Sequence, residues 1–388
     1  VPEDGQADTE PQAVRFVLSD RQRLAWLRLW RAENVGPATF RDLINHCGSA
    51  EQALAMLPEL STRGGRRRHP HIPSEEEAAA ELEAIAAHGA RLIGIGEPDY
   101  PPLLRLADQA PPLVTVTGEP SVLQTPAVAI VGSRNASMAG LTMARRLASE
   151  LGEQGHAIVS GLARGIDGAA HEAALATGTI AVLAGGPDKP YPPENVDLLA
   201  RIEREGKGCS ITEMPFGWQP RAKDFPRRNR VIAGLSMALV VVEAAARSGS
   251  LTSARLAGEL GRLVLAVPGS PLDPRAHGTN TLIRDGATLV RSADDVIEAI
   301  SPLDPAAEFY QPPPAPMELT AMMALPPDDD AREKVLALLG PTPVAVDELI
   351  VEAGLGAPQM FLIIMELDLA GRIERHSGNR VSLLVPAP

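Results

Sequence analysis

Cysteine is nearly absent from this chain: Cys47 and Cys209 are the only two among 388 residues. They lie far apart and form no metal or redox spacing, so buried thiols in a reducing cytoplasm are expected. No leader-like segment and no run of 18 apolar residues occurs, so a soluble protein that does not enter a membrane is expected. Positive charge is also in deficit, with 36 Lys and Arg against 49 Asp and Glu and a net charge of −13. That excludes a protein coating nucleic acid over its whole surface and confines any anion site to a local patch. Two phosphate-binding signatures are missing. GxGxxG does not occur, because GLARGIDG sets Gly161, Gly165 and Gly168 at the wrong spacing for a dinucleotide. GxxxxGKS/T is absent too, so a Walker-type ATP site has no support. His171-Glu172 lacks the second histidine of a zinc-protease helix, and neither a metal nor a cofactor is expected.

What is present suggests two or three domains, with an ordinary 45% apolar content. Residues 1–15 read as a disordered tail. Residues 16–75 read as a small helical domain, with Leu24, Leu27, Leu29 and Trp30 in its first helical run and breaks at Gly36-Pro37 and Gly48-Ser49. The stretch ENVGPATFRDLINHCGSAEQAL fits an ordinary helical bundle, the default, and is also similar to helix-hairpin-helix units that grip DNA backbones. The basic TRGGRRRHPH that follows reads as a mobile linker. Residues 76–300 read as the next domain, and over 127–300 short apolar runs such as AVAIVG, HAIVSG, TIAVLAGG, ALVVVEA and LVLAVPG alternate with helical patterns. The expectation is a doubly wound, mostly parallel sheet with helices on both faces and its loops gathered at the carboxyl edge. Residues 301–330 form a Pro-rich acidic linker, with eight prolines over 302–330. Residues 331–388 carry three helices and two strands around Ser377-Gly378-Asn379, a winged-helix pattern.

Several strand-end loops carry chemistry. In VGSRNAS, Gly132 admits close backbone approach while Ser133, Arg134 and Ser137 stand where a helix opens. Such a place suits a phosphate, and equally a plain turn with an exposed arginine. VSGLARGIDGAAH puts Ser160 and Gly161 at a strand end and Asp167 one helical turn before His171; a capping aspartate beside a buried histidine is expected over an acid–base pair. LAGGPDKPYPPEN holds Lys189 and Tyr191 on a stiff loop, a cation beside a ring, as a nucleotide needs. RAKDFPRRNR packs five basic residues and one acid into ten positions, with Phe216, Trp218 and Phe225 beside it in a chain only 3% aromatic. Phosphate neutralisation with a stacking surface is what a single strand requires. Within it, Arg227, Arg228 and Arg230 crowd the N-terminal end of an apolar helix. There each works against the macrodipole by roughly 0.3–1 kcal/mol. Either something negative faces them, or the arrangement is merely tolerated.

Taken in order, VGSRNAS, SGLARGIDGAAH, TIAVLAGGPDKPYPPEN, FPRRNRVIAGLS, VVEAAARSGSLTSA and VPGSPLDPRAHGTNTLIRDGA closely resemble the DNA-processing protein A (DprA/Smf) family. The resemblance covers about 170 residues of the central region. It implies an extended Rossmann-like domain that binds single-stranded DNA, flanked by a sterile-alpha-motif-like N-terminal module and a C-terminal winged helix. It further implies a cytoplasmic homodimer that protects incoming strands, loads a RecA-type recombinase in transformation or recombination, and has no established catalytic activity. The family's binding motifs fall on Gly132, Ser133, Arg134, Lys189, Arg227, Arg228 and Asn229, with Ser160, Gly161 and Phe225 expected near the pocket. On this reading the anion facing Arg227 and Arg228 is the DNA backbone, and replacing both with Ala removes binding without lowering thermal stability. The rival class is a Rossmann-like hydrolase of nucleotide N-glycosidic bonds using Glu213 or Glu243, although its PGGxGTxxE run is missing. The third C-terminal helix, GAPQMFLIIMELDLAG, has no Lys or Arg, so it is expected to bind DNA poorly and to suit a protein contact.

Overall fold

The computed structural model describes residues 17–303 and 327–384. The tail expected over 1–15 and most of the linker expected over 301–330 lie outside the described residues. Four helices come first: α1 (Asp20–Arg31), α2 (Pro37–Cys47), α3 (Ala50–Arg63) and α4 (Glu75–Ala87). Their ends are written locally. Ser19 and Gln22 close a reciprocal capping box on α1, and Ser74 and Glu77 do the same on α4. Pro37 starts α2, and Gly48 ends it at φ 83°. Leu27, Leu29, Phe40, Leu43 and Leu57 form the shared core. Ala78 and Ile85 of α4 join that core, although the sequence reading had begun the next domain at residue 76. The basic stretch after α3, expected to be a mobile linker, is held in part: Arg66 and Arg68 lie 2.6 and 3.5 Å from Glu33.

The central sheet is built from β1 (Ala90–Gly94), then α5 (Pro102–Arg105) and β2 (Leu113–Gly118), followed by the alternation foreseen from the sequence. This runs β3 (Ala127–Val131), α6 (Met138–Glu153), β4 (Ala157–Ser160), α7 (Ile166–Ala173), β5 (Thr179–Val182), α8 (Val196–Arg204), β6 (Gly208–Thr212) and α9 (Asp224–Leu235). It continues through β7 (Ala238–Val241), α10 (Gly249–Glu259), β8 (Leu263–Ala266), α11 (His277–Arg284), β9 (Thr288–Leu289) and α12 (Ala293–Ile300). The strand order is β1-β2-β6-β5-β4-β3-β7-β8-β9. From β6 to β9 every pairing is parallel, whereas β2 runs antiparallel to β6 and β1 antiparallel to β2. Each of β3 to β7 is buried along its whole length, which is why all but β6 (GCSIT) read as mainly apolar runs.

Helices cover both faces. On one, Val231, Ile232 and Leu235 of α9 pack with Ala254 and Ala257 of α10. On the other lie Ala144, Leu147 and Leu151 of α6 with Ala169 and Ala170 of α7. Each Val, Ile or Leu side chain so buried contributes about 1.5–3 kcal/mol, and each alanine methyl less. The parallel strands bring the loops after β3 to β8 to one carboxyl edge, and strand order reverses beside β3.

The C-terminal unit comprises α13 (Asp329–Leu338), β10 (Val344–Ala345), α14 (Val346–Ala353), α15 (Ala357–Leu369), β11 (Ile373–His376) and β12 (Arg380–Leu383), with the sheet ordered β10-β12-β11. This is a winged helix. Met360, Ile363, Ile364 and Leu367 of α15 face its own core, while Leu362, Met365 and Leu369 enter the core of the N-terminal helices. Asn34 Nδ2 donates to the Leu369 carbonyl at 3.1 Å, and a Cβ on Gly64 would overlap the Glu366 carbonyl. This cation-free helix thus packs against the N-terminal helices of its own chain. Among the described residues, no single helix is long and apolar enough to cross a membrane.

Candidate nucleic-acid interface

Three separate segments meet on Phe225, in the first turn of α9. Arg134, from the loop after β3, places its guanidinium carbon 5.4 Å from the ring centroid. Tyr191, from the loop after β5, stands edge-on with centroids 5.8 Å apart and planes at 70°. Arg228 lies beneath, 5.7 Å from the same centroid. Arg134 is exposed and has no carboxylate partner among the described residues. Lys189 sits in the Tyr191 loop, but its Nζ is 2.7 Å from Asp188 Oδ2, so its charge is partly matched. The other Asp188 oxygen accepts from the Gly217 amide at 2.7 Å, which ties this loop to the one after β6.

Arg228 differs from expectation. It is only 7% exposed, donates to the carbonyls of Gly161 and Val182 (the latter at 3.1 Å), and bonds Asn229 Oδ1 through Nε at 3.1 Å. Burial pulls its guanidinium down to about 10. It braces the floor under Phe225 and does not stand on the surface to meet a phosphate. Gly161 is glycine for a steric reason, since a Cβ there would overlap Arg228 Nη1. Gly132 likewise serves packing, because a Cβ would come within 2.7 Å of Ile166 Cγ1. Ser160 is wholly buried and donates to the Ile130 carbonyl at 2.6 Å; Asn229 is buried beside Arg228. Gly132, Ser160, Gly161, Arg228 and Asn229 thus form the support, and Ser133, Arg134, Lys189, Phe225 and Arg227 the accessible rim.

Asp167 and His171 are structural, as expected. Asp167 accepts from the amides of Gly161 and Ala163 at 3.1 and 3.4 Å, and burial raises its carboxyl. His171 is wholly buried, its Nδ1 2.7 Å from Thr179 Oγ1, and burial holds it down to about 3, so the ring is neutral. Thr179 donates its own proton to the Ile158 carbonyl, which makes Nδ1 the protonated nitrogen.

The anion facing two of the helix-head arginines is a carboxylate of the chain. Buried Glu213 takes Arg230 at 2.9 Å and reaches Arg227 at 3.7 Å. Arg31 of α1 donates to the Glu213 carbonyl at 3.0 Å, so the N-terminal helices brace the same loop. Arg227 stays half exposed and loosely held. A second internal carboxylate fills the crevice where strand order reverses. Glu243 Oε2 accepts from the Ser137 amide at 2.9 Å, Ser137 Oγ donates to its other oxygen, and a Cβ on Gly140 would come within 2.5 Å of its carboxyl carbon. The helix start after β3, a candidate phosphate seat by sequence, is therefore already capped by an anion. The contacts expected from the sequence do not single out Trp218, Arg221 or Asp224, although all lie in or beside the same basic–aromatic run.

Residues 91–301 match the family model for DNA recombination-mediator protein A. The chain belongs to this family. Residues 20–84 match the DprA-like N-terminal HHH domain and 313–379 the DprA winged helix domain. The helix-hairpin-helix likeness of the first helices is thus the reading supported, over an ordinary bundle. The chain is 38% identical over 292 residues to protein Smf of Escherichia coli, covering 73% of this chain and 75% of that protein. It is 35% identical over 374 residues to the putative DNA processing protein DprA of Mycobacterium tuberculosis, covering 91% and 92%. Among solved structures, DprA from Streptococcus pneumoniae aligns with TM-score 0.60 at 33% identity, over 74% of this chain and 98% of that one. The Helicobacter pylori DprA structure, which concerns that protein's single-stranded DNA binding mode, aligns with TM-score 0.50 at 28% identity, over 55% and 96%.

Proposed function

We propose that this DprA chain binds single-stranded DNA along the carboxyl edge of the sheet, with Ser133, Arg134, Lys189, Phe225 and Arg227 as the contacting rim and Gly132, Ser160, Gly161, Arg228 and Asn229 as its support. The observation that carries this is the meeting of Arg134, Tyr191 and Arg228 on the Phe225 ring. A ring offers any base a stacking face, and an unpaired guanidinium beside it supplies the phosphate partner. The site is local, which reconciles it with a net charge of −13. The relative from Helicobacter pylori binds single strands, which supports the same ligand here. In the cell the bound strand is protected and passed to a RecA-type recombinase by a cytoplasmic homodimer, with no catalytic step. A hydrolytic reading needs a carboxylate open to a substrate, whereas Glu213 is buried against Arg230 and Glu243 is held by Ser137.

Affinity for a single-stranded oligonucleotide, measured across salt with duplex as control, tests the binding. Single strands should bind more tightly, with log K falling linearly against log salt. Equal affinity for duplex, or none for either, refutes it. Recombinase filament growth on strands carrying this protein tests the loading step.

A further inference from the structure

Three guanidinium–ring pairs occur among the described residues, and the third lies outside the Phe225 cluster. Arg221 Cζ is 4.5 Å from the Trp218 ring centroid, closer than either arginine on Phe225. One buried carboxylate fixes both partners: Asp224 Oδ2 accepts from Trp218 Nε1 at 2.9 Å and from the Arg221 amide at 2.8 Å. Asp224 is wholly buried at the start of α9, one residue before Phe225. The pair is also locked to the neighbouring loop, since the Gly186 amide donates to the Trp218 carbonyl at 2.9 Å and the Gly217 amide to Asp188. That loop carries Lys189 and Tyr191, so the two ring–cation pairs belong to one braced surface.

Two of the charges at the pair are unmatched. In 221–230, Arg227 and Arg230 use Glu213 and Arg228 uses carbonyls. Arg221 and Lys223 are exposed and have no carboxylate partner among the described residues. An arginine held flat on an indole for stability alone needs no second free cation beside it and no buried carboxylate fixing its backbone. A base stacks readily on a guanidinium plane already backed by a ring, and its flanking phosphates need such cations.

We propose that Arg221 stacked on Trp218, with Lys223, forms a second nucleotide seat on the strand's path, and that Asp224 positions it. This rests on the single-strand reading above and extends it from one stacking step to two. The seat is indifferent to base identity, because it offers faces and charges and no fixed hydrogen-bond pattern.

The full chain, titrated with oligo-dT of graded length, tests it. Trp218→Ala should weaken binding roughly tenfold, the order of one lost base-stacking step. The loss should appear only with strands long enough to span both seats. Arg221→Glu, at an exposed position that leaves the fold intact, should do the same and lower the salt slope. Intrinsic fluorescence adds a reading that a packing role would not move. Trp30 is buried in the N-terminal core and Trp26 packs against it, so strand-induced quenching should vanish in Trp218→Phe. Wild-type binding with Trp218→Ala and Arg221→Glu unchanged at every length overturns the second seat alone. A wild-type chain that binds no strand overturns both readings.

Discussion

Arg228 donates to the carbonyl of Gly161 through space that exists only because residue 161 has no side chain. Gly161→Ala must expel the guanidinium or push the strand end aside, an overpacking cost of about 1–3 kcal/mol. Arg228→Ala strands two buried carbonyls, Gly161 and Val182, at about 1–3 kcal/mol each. Both variants should therefore melt earlier than the parent as well as bind single strands less tightly. This revises the expectation that removing Arg227 and Arg228 leaves stability untouched. Thermal unfolding separates the two, and an Arg228→Ala chain as stable as the parent would show that the carbonyls find other donors.

Arg134 and Arg227 should behave differently from Arg228 and from each other. Arg134 is exposed, stacks on Phe225 and opposes no carboxylate, so Arg134→Ala should leave the melting temperature unchanged. It should lower the salt slope by about 0.7 for the lost phosphate contact on a single strand. Arg227 shares its charge with Glu213, so Arg227→Ala should cost less affinity. Binding isotherms at several salt concentrations decide the ranking. Equal losses would mean that the strand draws Arg227 fully away from Glu213.

The strands β3 to β8 were legible because a parallel strand covered on both faces leaves an unbroken apolar run between turn residues. β1 and β2 were not, since polar residues interrupt both: an exposed Arg91 in ARLIG, and Thr115 with the half-exposed Thr117 in LVTVTG. At the site, Arg134, Lys189 and Phe225 stood out as charge or ring at strand ends. The inward turn of Arg228 did not, because its carbonyl partners lie just past the end of β4 and in β5, 67 and 46 residues away. Nor did the capture of Ser137 by Glu243, 106 residues apart, which turned a phosphate-like helix start into a capped one. Sequence spacing showed where charge gathers, and only the packing showed which charges are already matched.

His171 makes acid stability testable. Its ordinary value is 6.5 and burial holds it at about 3, so between those values the unfolded chain binds a proton that the folded chain refuses. Its contribution is present in full above 6.5 and is lost as pH falls toward 3, by at most about 1.4 kcal/mol per pH unit. Asp167, raised by burial, acts the other way: its contribution is complete below its ordinary 3.8 and is lost as pH rises through the folded value. Urea unfolding of His171→Asn across this window should give a flatter acid limb than the parent. A limb of unchanged slope would place the acid sensitivity elsewhere.

The winged helix should be detachable without loss of strand binding. Asp368 links the two units, accepting from Thr39 Oγ1 at 2.5 Å and from Arg375 Nε at 2.8 Å, while Arg375 also reaches Asp42 at 2.8 Å. Buried Glu366, paired with Arg332 at 2.7 Å, runs its carbonyl against Gly64 at the end of α3. Gly64→Val puts a branched side chain into that contact and should lever α15 off α2 and α3. Leu362, Met365 and Leu369 then face water, so small-angle scattering should report a larger radius of gyration and a hydrophobic dye should bind. Single-strand affinity should hold, because the rim residues of the sheet edge are untouched. Duplex affinity should not appear either, since the freed helix carries no Lys or Arg to meet a phosphate backbone. An unchanged scattering profile would show that the two units stay joined without this contact, and new duplex binding would show that the docked face hides a DNA reader.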